Sequence, residues 1–525
     1  MKHYKEYIVN VMPCLGYGIM CGSLTGFVIF FFKFAAGKLE HLSRELYELA
    51  QTRPLYIVIL FAVLILFALL TAFMHKKIPE MKGGGIPRTE GILRGILPFR
   101  RRRTFFGTII GSLISFVSGL PLGSEGPAVL IGTAIGGMCS DVTDKRTAWS
   151  RYVMSGGAGA GFAVATGAPL SAILFVLEEI HKRFTPMLVM TVSTTVLSAT
   201  YINNLLCEQF GISPHLLSPV LFAGFRLDST VYLLGLAVIV AVAVAIFDAS
   251  LGYFGKFMNK LNKIVPAYVK LLVIFILTGV LGLVFSNGAY NGHDIIEHVL
   301  SYNESMGMLL LILAVRMIMM VLITDSGATG GIFIPTLAIG SLVGAVSGRL
   351  LVSAGMPEEL FPTVVILGMC AFMGGTLRAP FTASVIFFEI TCKFTDFFYV
   401  VLVVFLVNFI TAMFDQTPFY DRVLEKLEHE EHKGKSAKIV SLKMKVSENA
   451  FVIGKTTRDI MWPSSSVVVS IIRADNADED TDNNGEKKLY EGDTVILRTK
   501  IFNEEEIMKT LKGLVGSQYP IEEIP

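Results

Sequence analysis

Every residue from Pro54 to Met74 is uncharged and almost every one is apolar. Such a run can stay in hydrocarbon only if its backbone hydrogen bonds are closed within the segment, so it reads as a membrane-crossing helix. Comparable runs recur at Tyr232–Phe247, Leu271–Phe285 and Phe397–Met413, and Met306–Leu322 carries Arg316 as its only charge. Charged residues make up 17% of the 525, against about 25% in soluble domains, and the mean hydropathy is +0.61. A large soluble protein with several core helices is excluded on that balance. The expected class is an all-α polytopic membrane protein.

Met1–Tyr7 leads into an apolar stretch with no small-residue processing site, so this stretch reads as the first membrane helix rather than a cleaved signal. Lys38–Arg53 is polar and amphipathic and reads as a connection. The basic run Arg100–Arg103 belongs on the cytoplasmic side by the positive-inside tendency. A net charge of +2 gives no reason to expect nucleic acid. The six cysteines are scattered singly, which suggests neither a disulfide framework nor a metal cluster. Glu428-His429-Glu430-Glu431-His432 lacks a partner cluster and reads as solvated helix or linker.

Two copies of one pattern, Gly-x-x-x-Pro-x-x-x-Ile-Gly, occupy Gly123–Gly132 and Gly331–Gly340. Each is a glycine-loosened turn entering a helix with proline in its first turn. Such a start presents free N–H groups and the positive end of the helix dipole, which favour an anion. Gly83-Gly84-Gly85-Ile86-Pro87 is a third turn of this kind. The surrounding Gly107–Gly137 and Gly156–Gly161 are rich in small residues that let helices approach closely.

The pattern is part of a longer repeat. Pro127 and Pro169 lie 42 residues apart and Pro335 and Pro380 lie 45 apart; Glu178 and Glu389 each follow their proline by nine. Two repeats, roughly 10–210 and 225–425, follow from this, and interrupted helices meeting at a midplane site favour inverted topology. Glu178-Glu179 ends an apolar helix. It reads either as a solvated interfacial end or as a pair with one acid turned inward to carry protons.

Asp415–Tyr420 breaks the last apolar helix, Asp421–Lys435 is charge-dense, and from about Ala437 the composition is that of a soluble unit. Ile439–Met444, Ser466–Ile472 and Thr494–Arg498 read as strands, Asp475–Gly485 as a polar turn and Asn503–Leu514 as a helix. The expected organisation is a membrane domain over 1–428, a charged linker over 429–437 and a small α+β domain over 438–518.

Over approximately residues 10–425 the chain resembles the CLC family of chloride channels and chloride/proton antiporters. Gly83–Pro87 resembles its first anion-binding motif, Gly123-Ser124-Glu125-Gly126-Pro127 its gating-glutamate motif and Gly331–Pro335 its third motif. Tyr420 falls where the family supplies a tyrosine hydroxyl. The resemblance implies the CLC inverted-repeat fold, with broken helices meeting at a central anion site. It implies anion binding by Gly84, Gly85, the amides of Ile332 and Phe333, and Tyr420. Glu125 would be the external gate and proton acceptor and Glu179 the internal proton-transfer acid, with Glu178, Gly123, Ser124 and Pro127 in support. The implied function is exchange of two chlorides for one proton. The alternatives are a passive gated chloride channel or an exchanger of nitrate or fluoride. No Walker-type loop is present to suggest an ATP-driven pump, and the resemblance implies a secondary active transporter or channel, not an enzyme.

Two positions depart from the family pattern: Gly84 stands where a serine is usual, and Ser124 where a basic residue is usual. The resemblance also implies a homodimer in a cell membrane, with both termini cytoplasmic and no metal or cofactor. The tail resembles the TrkA-C/RCK-C type of regulatory domain at Phe451–Thr456 and Tyr490–Ile496. A regulatory cyclic dinucleotide is the ligand this implies, and a dimerisation module is the alternative.

Overall fold

The structure is a computed structural model. It describes residues 2–143, 147–214, 222–261, 265–301, 304–414, 417–432, 438–463, 466–474, 479–481, 485–501 and 504–524. Within these ranges, side chains are described from Met12 onward, apart from those of residues 142, 143, 147, 259–261, 287, 479–481, 504 and 506.

Two sets of eight helices succeed one another. The first is α1 (Lys2–Thr52), α2 (Pro54–Lys77), α3 (Ile86–Arg94), α4 (Arg101–Val117), α5 (Glu125–Thr143), α6 (Thr147–Thr166), α7 (Pro169–Phe175) and α8 (Pro186–Phe210). The second is α9 (Thr230–Leu261), α10 (Ala267–Val284), α11 (His293–Val299), α12 (Met306–Ser326), α13 (Phe333–Ser353), α14 (Phe361–Leu377), α15 (Pro380–Thr391) and α16 (Phe397–Ala412). The order of long and short helices is the same in both sets: α3 and α11 are the short third members, α7 and α15 the short seventh. Among the described residues, eight helices are long and apolar enough to cross a membrane. Each uncharged run of the sequence falls within one of them to within a residue.

The two halves are related by inversion. Gly123 and Gly331 pair as an antiparallel bridge, each N–H donating to the other's carbonyl at 2.7 and 2.6 Å. A reciprocal pair of backbone bonds between equivalent residues has local two-fold symmetry, as two inverted repeats require. Small residues make the same close packing within each half. A Cβ on Gly132 would overlap the Gly157 carbonyl between α5 and α6, and one on Gly340 would lie 2.9 Å from the Met369 carbonyl oxygen between α13 and α14.

One expectation is corrected. Lys38–Arg53 is not a connection, because α1 runs on to Thr52. Ser43, Tyr47 and Ala50 form a buried stripe at helical spacing, and the Tyr47 hydroxyl donates to Ser118 O at 3.0 Å. A narrow packed stripe is enough to hold a polar helix, although its composition reads as loop.

Helix α17 (Phe419–Glu431) leads towards the tail. The expected break at Asp415-Gln416, linker residues 433–437 and most of the Asp475–Gly485 turn lie outside the described residues. The tail is an antiparallel sheet in the order β3-β2-β4-β1-β5, with β1 Lys438–Lys445, β2 Val467–Ile472, β3 Glu479–Thr481, β4 Thr494–Ile501 and β5 Ile521–Ile524, plus α18 (Glu504–Val515). The three expected strands and the helix are present. Strand β5 carries the sheet on to Ile524, and it escaped the sequence reading because Ile521-Glu522-Glu523-Ile524 is too short to show alternation. The tail docks on the start of α6. Trp149 and Phe451 meet edge to face at 5.4 Å, and Arg151 donates to Met461 O at 3.4 Å and Trp462 O at 3.1 Å.

The α5–α6 crossing gives a direct test. Gly132→Val places its Cβ on a backbone carbonyl that cannot move without separating two helices. It should destabilise the protein by roughly 3 kcal/mol or more, read as loss of monodisperse protein and an earlier unfolding midpoint in detergent. Val at Gly37, where a Cβ meets nothing within 4 Å, is the control.

Candidate functional site

Three glycine turns and the helix starts that follow them meet near the Gly123–Gly331 bridge. Gly83 N–H donates to Gly327 O at 3.1 Å, which ties the first turn to the third. Gly85 caps α3 at φ +76°, a left-handed value that suits glycine. A Cβ on Gly126 would overlap the Gly84 carbonyl and come within 2.8 Å of Gly331 Cα. The turns therefore pack backbone on backbone, and glycine is the residue that allows it. Further contacts fix the assembly: Ser115 Oγ donates to Thr329 O at 2.6 Å, and His75 Nε2 lies 3.0 Å from Thr329 Oγ1. Arg100 Nη2 donates to Glu80 Oε2 at 3.1 Å just before the first turn, and this pairing holds the Arg100 guanidinium above its ordinary pKa.

The predicted residues fall into place around this cluster. Glu125 is the first residue of α5 and Pro127 follows in its first turn; Ile332 caps α13 and Phe333 begins it. A Cβ on Gly84 would come within 3.2 Å of Ile332 Cγ1, so the first and third turns touch. First-turn N–H groups of a helix have no acceptor within it, and here those of α3, α5 and α13 are gathered together. Phe333 is held edge to face on Phe162 at 4.9 Å, and Phe162 stacks on Phe175 at 4.5 Å.

Among the described residues, three buried side-chain oxygens at the site find no hydrogen-bond partner: Glu125 Oε2, Glu179 Oε1 and the Tyr420 hydroxyl. Glu125 Oε1 accepts from Ser124 Oγ at 3.1 Å. Tyr420 is fully buried at the start of α17, and the charges of both Glu125 and Glu179 act on its hydroxyl. A buried hydroxyl without a partner is costly unless something else accepts from it. An anion lodged at the turns is such an acceptor.

The two adjacent acids have separate fates. Glu179 is buried on a π-helical turn, Val176–Ile180, within electrostatic range of Glu90, Lys182 and Asp421. Lys182 Nζ donates to Asp421 Oδ1 at 2.8 Å and lies 4.0 Å from Glu90 Oε1. Glu178 is not brought to the cluster. Its Oε1 accepts from Phe381 N at 3.0 Å and its Oε2 from Thr382 N at 2.7 Å, capping α15 of the opposite half. Glu389 does the same for α7, accepting from Leu170 N at 2.8 Å and Ser171 N at 2.9 Å. The nine-residue spacing marked both acids as equivalents, but sequence gave no sign that each caps the other's helix. Consecutive residues of a helix point about 100° apart, so neighbours Glu178 and Glu179 face different surroundings.

Cavities approach the cluster from opposite faces. One, of about 630 Å3, is lined by Glu125, Ser124, Ile334, Asn203 and Lys33. The other, of about 900 Å3, is lined by Gly83, Gly327, Lys82, Lys270, Arg422 and Lys426. The Lys455 charge of the tail acts on Cys14 of α1, whereas α1 lines the first cavity over Phe30–His41. At 1.5 Å per residue that is roughly 25–40 Å farther along α1, so the first cavity opens away from the tail. The second lies against α17, on the tail side. Sequence reading passed over Lys33, although a lone cation in an apolar run is a signal in its own right. Among the described residues, no three His, Cys, Asp or Glu side chains gather to hold a metal ion.

A family model described as voltage gated chloride channel matches residues 66–412. The H(+)/Cl(-) exchange transporter ClcA of Salmonella newport is 29% identical over 424 residues, covering 77% of this chain and 86% of the relative. ClcA of Salmonella agona matches with the same figures. Among solved structures, a slow cyanobacterial Cl-/H+ antiporter superposes with a TM-score of 0.73 at 25% identity, covering 80% of this chain and 99% of that one. A CLC-type fluoride/proton antiporter gives 0.62 at 19% identity, covering 76% and 95%, and shares the fold.

The crossed caps make a testable pair. Glu389→Gln and Glu178→Gln each remove a charge from a helix start and should each cost about 1–2 kcal/mol. The double variant should lose at least about 0.5 kcal/mol less than the sum, because both caps hold the same α7–α15 contact. Equilibrium unfolding in mixed detergent micelles reads all three.

Proposed function

Because this chain belongs to the voltage-gated chloride channel (CLC) family, we propose that it exchanges chloride for protons across the membrane, two chlorides for one proton. The observation that carries this reading is a pair of buried carboxylates, Glu125 and Glu179, each with an oxygen that finds no partner among the described residues and each acting electrostatically on the Tyr420 hydroxyl. A passive pore needs no second buried acid. The names of the ClcA relatives and of the cyanobacterial antiporter support exchange.

The mechanism follows from electrostatics. Ionised, Glu125 sits at the positive start of α5 and competes with chloride for the same N–H groups. Protonated, it no longer competes, and chloride enters among the amides of Gly84, Gly85, Ile332 and Phe333 and the Tyr420 hydroxyl. The proton on Glu125 is open to the cavity facing away from the tail. Glu179 passes protons to and from the tail side through the ionisable cluster of Glu90, Lys182 and Asp421. Gly84 contributes backbone and no hydroxyl, so chloride at that turn is held by N–H groups alone.

The tail face is the cytoplasmic one in this reading. Arg101, in the arginine run at the start of α4, pairs with Asp141 and donates to Ser150 Oγ at 3.1 Å, beside the Arg151 that holds the tail. A basic run on that face satisfies the positive-inside tendency. The chain works as a homodimer with a pathway in each subunit. The tail acts as a regulator: it rests on α6 one turn from Ser155, whose Oγ lies 2.7 Å from His181 Nε2 directly after the π-turn of Glu179.

Chloride and proton fluxes measured together in liposomes at clamped potential test the central claim. A chloride gradient should drive protons uphill. Glu125→Gln should abolish coupling, and Glu179→Gln should stop proton movement while chloride continues. Chloride flux with no coupled protons in the wild type would make this a channel, and poor chloride flux calls for the same assay with nitrate and fluoride. Arg151→Ala should change turnover about two-fold or more without altering the chloride-to-proton ratio, and a cyclic dinucleotide added on the tail side tests for a ligand. Unchanged turnover in Arg151→Ala would leave the tail as an assembly module.

A further inference from the structure

Lys33 is the only charge between Met12 and Gly37. It lies in the span of α1, where a cation is costly to keep and therefore calls for a reason. Among the described residues no carboxylate pairs with it, and its Nζ makes one long contact, to Val164 O at 3.5 Å. It lines the 630 Å3 cavity with Ser124 and Glu125, and its charge acts on the Glu125 carboxylate across that space. Glu125 Oε2 is without a partner. A cation and a carboxylate thus face the same cavity without meeting. Of the cavity's other ionisable groups, Lys38 lies over the Phe34 ring at 5.8 Å, Glu40 is bonded by Arg44 and Asn291, His41 pairs with Glu45, and His293 acts on Glu40. The residue before Glu125 is Ser124, which carries no charge of its own.

We propose that Lys33 is a loading station for the transported anion: it draws chloride into the cavity facing away from the tail and holds it beside Glu125. The step rests on the anion-transport reading above. A cation at the wall of a low-dielectric cleft concentrates anions there and raises their rate of entry. Lys33 does this from a different helix, 92 positions before Glu125. It does not touch the central turns, so it sets how readily the site is filled and not how fast a filled site turns over.

The test is isotopic chloride exchange in liposomes at equal chloride on both faces. Lys33→Met should raise the half-saturating chloride concentration about ten-fold, with the maximal rate within about two-fold of wild type. Lys33→Arg should restore the wild-type value, and Lys38→Met, at an exposed position of the same cavity, should leave it unchanged. A half-saturation in Lys33→Met within two-fold of wild type would overturn the proposal. So would Lys33→Arg as defective as Lys33→Met, since the charge would then not be what matters. If Lys33→Met does not assemble, Lys33→Gln takes its place under the same criteria. A wild type that moves chloride without protons would end the exchange reading while a shifted half-saturation still upheld Lys33. A coupled wild type with an unshifted Lys33→Met would do the reverse.

Discussion

The pair of backbone hydrogen bonds between Gly123 and Gly331 is the contact on which the architecture turns. It joins the two halves at the point where each chain leaves a turn and starts a helix. Those starts must come together because the bonded residues adjoin them, and bringing them together gathers N–H groups that have no acceptor of their own. In a bilayer such groups are tolerated only when buried in protein or facing a polar cavity. The proposed anion site would therefore follow from how the halves are joined. The demand for small residues follows as well, since Gly126 has the Gly84 carbonyl where a side chain would begin.

A second joint, built from side chains, lies away from the first. Glu178 and Glu389 each close the exposed N-terminus of the opposite half's short helix. The crossed arrangement makes α7 and α15 a single unit, and it binds the π-turn that carries Glu179 to a fixed frame. Glu179 stays buried while its neighbour is fully used in capping. Two consecutive acids of the same type thus take unlike roles because one finds backbone donors and the other does not.

The tail joins the same frame from one side. Arg151 and Tyr152 on α6 donate to carbonyls of the tail, the latter at 2.5 Å to Asp459 O. One turn farther along α6, Ser155 contacts His181. The soluble unit and the buried acid are thus connected through one helix end and one short turn.

The amino-acid sequence by itself determined a great deal. Uncharged runs identified the crossing helices because hydrocarbon leaves the backbone no other choice. The paired glycine–proline patterns located the turns, because such residues are needed wherever a helix starts in a buried place. The matched proline-to-glutamate spacings exposed the repeat, and Ile439–Met444, Ser466–Ile472 and Thr494–Arg498 the strands. Other features were settled only in three dimensions. The polar end of α1 is helical because Ser43, Tyr47 and Ala50 find partners far along the chain. Glu178 and Glu389 are caps because the inversion crosses their helices. Lys33 faces Glu125 because α1 passes beside α5. Each of these is a pairing between distant segments, and local propensity holds no record of which distant segment will be the neighbour.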